Sequence, residues 1–177
     1  MKRIGLLSDT HNSLIPGILK FFKNCDEIWH AGDLGSIQIA EELNKLKSLK
    51  AVYGNIDGHE LRINYPELLI FNCENVKVIM THIGGYPGNY EKKVKDIFLT
   101  EKPKLFISGH SHILKVIYDK KYDLLHLNPG AAGKSGFHNV CTAMRFEISD
   151  DKILNLEIFE TTKNKQKKVP DLPEVNQ

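Results

Sequence analysis

Arg3-Ile4-Gly5-Leu6-Leu7-Ser8-Asp9-Thr10-His11 is an apolar run that stops abruptly on a carboxylate and an imidazole. Its first six residues have the length and apolar character of a buried strand. Polar residues able to do chemistry begin where that strand ends, and the pattern then recurs. Glu27 to Ala31 is a second short strand followed by Gly32-Asp33, and Leu49 to Tyr53 is a third, closed by Gly54-Asn55. Between them, Ile15, Ile18, Leu19 and Phe22 fall at helical spacing, as do Ile39, Ala40, Leu43 and Leu46. This alternation predicts a parallel sheet with right-handed crossovers.

Past Tyr65-Pro66 the pattern changes. Leu68–Asn72 and Val76–Thr81 read as two strands joined by a tight turn. Tyr90, Val94, Ile97 and Phe98 mark a helix, and Leu105–Ser108 a further strand. Four strands follow, Ile113–Tyr118, Tyr122–Leu127, Val140–Ile148 and Ile153–Phe159, paired as antiparallel hairpins by polar turns. Two packed sheets with helices outside accommodate both halves. One domain is expected over residues 1–162, and the Lys- and Pro-rich residues 163–177 are expected to be a disordered tail.

With 177 residues, 41% hydrophobic and 26% charged, the chain suits a single globular domain. A net charge of +2 gives no electrostatic case for a nucleic-acid-binding patch or a membrane surface. Met1-Lys2-Arg3 could open a signal peptide, but the apolar run after it ends at Ser8-Asp9, too soon for one. Nothing approaches the roughly 20 apolar residues of a membrane span. Cys25, Cys73 and Cys141 lack CxxC spacing and read as buried reduced thiols, so a cytoplasmic protein is expected.

Five chain segments carry polar residues at the carboxyl ends of strands: Asp9 and His11, Asp33, Asn55, His82, and His110 with His112. Ligands of open α/β sheets bind at that edge. Asp9, Asp33, Asn55, His82 and His110 follow one another at intervals of 24, 22, 27 and 28 residues, about the length needed to leave, cross over and return. Two carboxylates, one amide oxygen and four imidazoles exceed what one tetrahedral zinc requires and lack the thiolates of a structural site. They suit two divalent cations, with Mn the preferred guess and Ni, Co, Fe, Zn or Mg as alternatives. A pair of ions roughly 3.5–4 Å apart needs a bridging anion, for which Asp33 is the candidate. The expected reaction is in-line attack on a phosphate ester by a hydroxide bridging the two ions.

Asp9-x-His11, Gly32-Asp33, Gly54-Asn55, Thr81-His82 and Gly109-His110-x-His112, in this order, resemble the successive motifs of the calcineurin-like metallophosphoesterases. The small size, the Gly-Asn-x-Asp form of residues 54–57 and Asn128-Pro129-Gly130 resemble the compact phosphodiesterase branch, which also includes the retromer sorting subunit. The resemblance spans about residues 2–160. It implies a four-layer α/β/β/α sandwich of two mixed sheets flanked by helices. It also implies one metal on Asp9, His11, Asp33 and His112, and a second on Asp33, Asn55, His82 and His110. Many family members carry histidine directly after the asparagine, where it assists the leaving group; here that residue is Ile56. Ile83 likewise stands where close relatives place glycine.

Other polar residues carry weaker expectations. His59 could supply the missing leaving-group acid or be a solvated loop residue, and His30 reads as structural or as orienting a ligand. His126 reads as structural, and His138 is open between substrate contact and simple exposure. Asn12, Asn55 and Asn128 are candidate substrate-binding residues. The expected function is a phosphodiesterase acting on a small phosphodiester or nucleotide-like substrate. The alternatives are a non-catalytic protein-assembly scaffold on the same fold, and a phosphomonoesterase or nucleotidase. Pairing of exposed C-terminal strands would allow a homo-oligomer.

Overall fold

The computed structural model describes residues 1–163, so the expected tail lies, Lys163 apart, outside the described residues. Two five-stranded mixed sheets are stacked face to face. The first has the strand order β12-β11-β1-β2-β3. Its parallel heart is β1 (Lys2–Leu7), β2 (Glu27–His30) and β3 (Ser48–Ala51), as the strand–helix alternation predicts. β11 (Val140–Ser149) and β12 (Lys152–Thr162) extend it antiparallel from β1. The second sheet has the order β4-β5-β8-β10-β9, from β4 (Leu68–Cys73), β5 (Val76–Thr81), β8 (Leu105–Ile107), β9 (Leu114–Asp119) and β10 (Leu124–Pro129). β10 runs antiparallel to β9 but parallel to β8, so the later strands are not purely hairpin-paired.

Alternation along each strand divides the apolar residues into layers. Ile4, Leu6, Trp29, Val78, Met80, Ile107, Leu127 and Phe146 fill the space between the sheets. On the outer face of the first sheet, Leu7, Ile28 and Ala143 pack against Ile18 of α1 (Pro16–Phe21), Phe22 just after it, and Ile39 and Leu43 of α2 (Ile37–Leu46). On the outer face of the second, Ile79, Phe106 and Leu124 pack against Val94 and Phe98 of α4 (Lys92–Glu101). Helix, sheet, sheet and helix form the four layers expected.

Short elements differ from the sequence expectation. Residues 59–64 form a helix, α3 (His59–Asn64), with Leu61 as its buried residue, so no amphipathic repeat announces it. Tyr90 belongs to a two-residue strand, β7 (Asn89–Tyr90), paired with β6 (Gly85–Tyr86), and α4 begins two residues later. The Tyr90 ring still packs on Phe98 and Phe106, which accounts for its helical spacing.

Candidate metal centre

All five ligand-bearing loops leave the carboxyl ends of β1, β2, β3, β5 and β8. The first two continue as a hydrogen-bonded pair beyond their strands, with the Asp9 amide donating to the Gly32 carbonyl at 2.9 Å and that of His11 to the Asp33 carbonyl at 3.1 Å. The Gly109 amide donates to the His82 carbonyl at 3.0 Å and joins the last two. Asp9, His11, Asp33, His110 and His112 all adopt left-handed backbone, with φ from 45° to 66°. Each such non-glycine residue costs about 1–2 kcal/mol, and such strain gathers where function requires it.

The side chains converge in two groups, Asp9 with His11 and His112, and Asp33 with His82 and His110; within each, one ligand atom per residue lies within 4.8 Å of the others. In the first, His112 Nε2 lies 3.1 Å and His11 Nε2 3.8 Å from Asp9 Oδ1. In the second, His82 Nε2 lies 3.3 Å from Asp33 Oδ2 and 3.1 Å from Asn55 Oδ1. Asp33 Oδ2 is also 3.7 Å from His11 Nε2, so this oxygen faces both groups. His82 is fixed from behind: its Nδ1 meets the Ala31 carbonyl at 2.8 Å, which leaves Nε2 turned to the cluster.

The donor set suits cations. Asp9 Oδ1 is buried without a hydrogen-bond partner, an expensive state for a carboxylate oxygen. Burial pushes the Asp33 carboxyl up, but the hydrogen bond and charge of His82, the Ile56 amide and the charge of His11 outweigh it and hold the group below its ordinary range. Burial pushes His82 down, yet the Asp33 hydrogen bond and the charges of Asp9 and Asp33 leave it raised. A field that favours positive charge at that nitrogen favours a metal ion in the same place.

Two glycines make the close approach possible. A Cβ on Gly54 would lie 2.0 Å from Asp33 Oδ1, and one on Gly109 would lie 2.1 Å from Ser8 Oγ. Asp57, whose role the sequence analysis missed, is buried and accepts the amides of Leu34 at 3.2 Å, Gly35 at 2.8 Å and Gly54 at 2.8 Å. It thereby ties the Asp33 loop to the Asn55 loop. Its position three residues after Gly54 was the available signal.

The other expected residues divide. Asn12 is exposed beside His11, and Asn55 is exposed with its oxygen on His82. Asn128 is buried: its amide donates to the Gly109 carbonyl at 2.8 Å and to Ser111 Oγ at 3.1 Å, while its oxygen accepts from the Gly130 amide. It therefore braces the loop that carries His110 and His112. His59 is exposed at the start of α3 and lines neither cleft beside the centre. His30 is fully buried, 3.0 Å from Thr10 Oγ1 and accepting the Gly32 amide, so it orients the first two loops from below. His126 is buried 3.0 Å from Ser108 Oγ. His138 lies 3.2 Å from His112, a contact the sequence did not reveal.

Two clefts flank the cluster. One, of about 310 Å³, is lined by Tyr53, Asn55, Arg62, Glu67, His82 and Ile83 among others. The second, of about 260 Å³, adjoins His110 and includes Tyr86, Glu91, Ser111 and Lys115.

The model of the calcineurin-like phosphoesterase superfamily domain matches residues 1–151. The chain belongs to that superfamily. A probable metallophosphoesterase of Methanothermobacter thermautotrophicus is 34% identical over 133 residues, covering 72% of this chain and 76% of that protein. Among solved structures, an archaeal phosphodiesterase superposes with a TM-score of 0.70 at 21% identity, over 89% of this chain and 99% of its own. Zinc-complexed Vps29 of Entamoeba histolytica superposes with a TM-score of 0.69 at 17% identity, over 90% and 98%. At these identities the two structures bear on the fold alone. The superfamily implies divalent metal ions, and the two side-chain groups are where such ions fit.

Proposed function

We propose that this protein is a phosphodiesterase that works with two divalent metal ions. The observation that carries the proposal is the meeting of two ligand groups at Asp33 Oδ2, 3.3 Å from His82 Nε2 and 3.7 Å from His11 Nε2. Asp9, His11 and His112 would hold one ion and Asn55, His82 and His110 the other, with Asp33 shared. Such a pair supplies activation of water for in-line attack on phosphorus and neutralisation of phosphate charge. Asp9 and Asp33 contribute the negative charge that retains the ions, and the imidazoles contribute neutral donors. A set of oxygen and imidazole donors without thiolates suits Mn, Ni, Co, Fe, Zn or Mg, and Mn is the first ion to test.

The clefts favour a diester over a terminal phosphate. Arg62 and Lys115 are their cationic residues. The Arg62 guanidinium is committed to carbonyls, donating to Asp57 at 2.7 Å, Asn55 at 3.2 Å and Gly54 at 3.3 Å. A dianionic monoester would call for several free cations. A small diester or nucleotide-like substrate is the better match, with the exposed Asn55 lining the first cleft where it would sit. Cytoplasmic residence fits the three buried free cysteines. Among the described residues no helix is long and apolar enough to cross a membrane.

The shared fold of Vps29 supports a second reading, a protein-assembly scaffold. A scaffold gains nothing from five strained ligand residues, so hydrolysis is the stronger reading. Metal-stripped protein should be assayed on a chromogenic phosphodiester and the matching monoester, with Mn, Ni, Co, Zn and Mg returned singly. Diester turnover restored by metal and lost in Asp33→Asn and His110→Ala is expected. Monoester preference would move the assignment to a phosphatase, and metal uptake without turnover would favour the scaffold.

A further inference from the structure

His138 lies outside the ligand motifs, in the segment that follows β10, yet its ring meets the back of a candidate ligand. Its Nε2 is 2.9 Å from the Gly133 carbonyl, which can only accept, so Nε2 carries the proton. Its Nδ1 faces the Lys163 ammonium at 3.4 Å, a group that can only donate. Both contacts leave His138 Nδ1 as a bare acceptor. The other group against that lone pair is His112 Nδ1, at 3.2 Å. Two bare nitrogens at this distance would repel, so His112 Nδ1 carries a proton and donates it. With Nδ1 so engaged, Nε2 is the nitrogen of His112 turned to the ligand cluster, 3.1 Å from Asp9 Oδ1 and 3.4 Å from His11 Nε2.

We infer that His138 is a positioning residue, which holds His112 in the tautomer that presents Nε2 to the first group of ligands. The chain of donors runs from His112 Nδ1 to His138 Nδ1 and from His138 Nε2 to the Gly133 carbonyl. The rings stand at 82° to each other with centroids 5.0 Å apart, an edge-on contact that fixes the plane of His112 as well as its proton. The backbone of Gly136 covers the pair so closely that a Cβ there would lie 2.6 Å from His112 Nδ1. Partners of this kind set the orientation and basicity of ligating histidines. His82 obtains the same service from the Ala31 carbonyl at 2.8 Å, a main-chain group that no substitution deletes.

This inference rests on the metal-centre proposal, and its test separates the two. Nitrogen-15 NMR of histidine-labelled, metal-free protein reports which nitrogen of His112 is protonated. Wild-type protein should show His112 protonated at Nδ1, and His138→Ala should lose that preference. Calorimetric titration with Mn should show one of two sites weakened ~10–100-fold in His138→Ala, with the other unchanged. His138→Gln should recover most of both, because its carboxamide can accept from His112 and donate to Gly133. A His112 tautomer unaltered in His138→Ala would overturn the inference. Equal weakening of both sites, or of neither, would overturn it too. Wild-type protein that takes up no Mn would overturn the centre itself, while the NMR result would still decide the tautomer.

Discussion

The two halves of the candidate centre use the same ligand chemistry but are supported differently. The half around Asp33 and His82 is braced by the core: His82 leans on the Ala31 carbonyl, and Asp57 gathers three amides from the Asp33 and Asn55 loops. The half around Asp9 and His112 depends on a side chain from residues 133–139, a segment without regular secondary structure. Both halves stand on the sheet edge, but the Asp9 and His112 half also leans on a surface loop and can be tuned by change there. Metal affinity and loop sequence should therefore be coupled at the first site and independent at the second.

The largest effect should come from removing what the halves share. Asp33→Asn takes away the negative charge of a carboxylate whose Oδ2 faces both groups, and diester turnover should fall by at least ~10³-fold, a barrier increase of about 4 kcal/mol. Metal analysis by mass spectrometry should show fewer than two ions per chain in that variant. Retention of both would mean that Asp33 does not bridge.

Next in size is the brace of the second half. Asp57→Ala leaves three backbone amides without their acceptor, at about 1–3 kcal/mol for each that water cannot reach. A loss of about 3 kcal/mol in urea unfolding is expected, together with weaker uptake at the Asn55 and His82 site. Stability within error of the wild type would contradict the brace.

Two buried imidazoles lie beneath the centre, His30 under the Asp9 and Asp33 loops and His126 beside Ser108 before the His110 loop, and they share one pH response. Burial, only partly offset by the charges of Asp57 and Asp9, pushes His30 down to about 4. Burial, reinforced by the Lys115 charge, pushes His126 down to about 4. The unfolded chain takes up these protons near the ordinary value of 6.5, whereas the folded protein resists them. The stability contributed by the neutral rings is therefore complete above about 6.5 and drains away as the pH falls towards about 4. Urea midpoints measured across this range in metal-free protein should decline, and His126→Gln should flatten part of the slope. Midpoints that rise on acidification would reverse the assignment.

The smallest effect on stability is expected at Ile56. This side chain is 47% exposed, so Ile56→His should change unfolding free energy by no more than about 0.5 kcal/mol. A histidine there should preferentially accelerate substrates with poor leaving groups, measured as a flatter dependence of kcat on leaving-group pKa. An unchanged dependence would show that this position does not reach the leaving group.

Much of this was legible in the sequence because strand ends and ligand residues coincide. The apolar runs ending at Ser8, Ala31, Tyr53, Thr81 and Ser108 located the strands and the edge on which chemistry gathers. The helix α3 was not legible, since six residues with one buried leucine carry no periodicity. Nor were Asp57 and His138 as supports. Each acts through a contact set by tertiary structure, Asp57 across 23 residues to Leu34 and His138 across 26 to His112. Spacing along a chain reports what a strand delivers. It does not report what stands behind the delivered side chain.

The most direct test of the binuclear centre is a crystal grown with Mn and measured at the Mn absorption edge. Two anomalous peaks are predicted, one among Asp9, His11 and His112 and the other among Asn55, His82 and His110, with an oxygen of Asp33 coordinating both ions. A single peak, or peaks elsewhere on the molecule, would contradict the account.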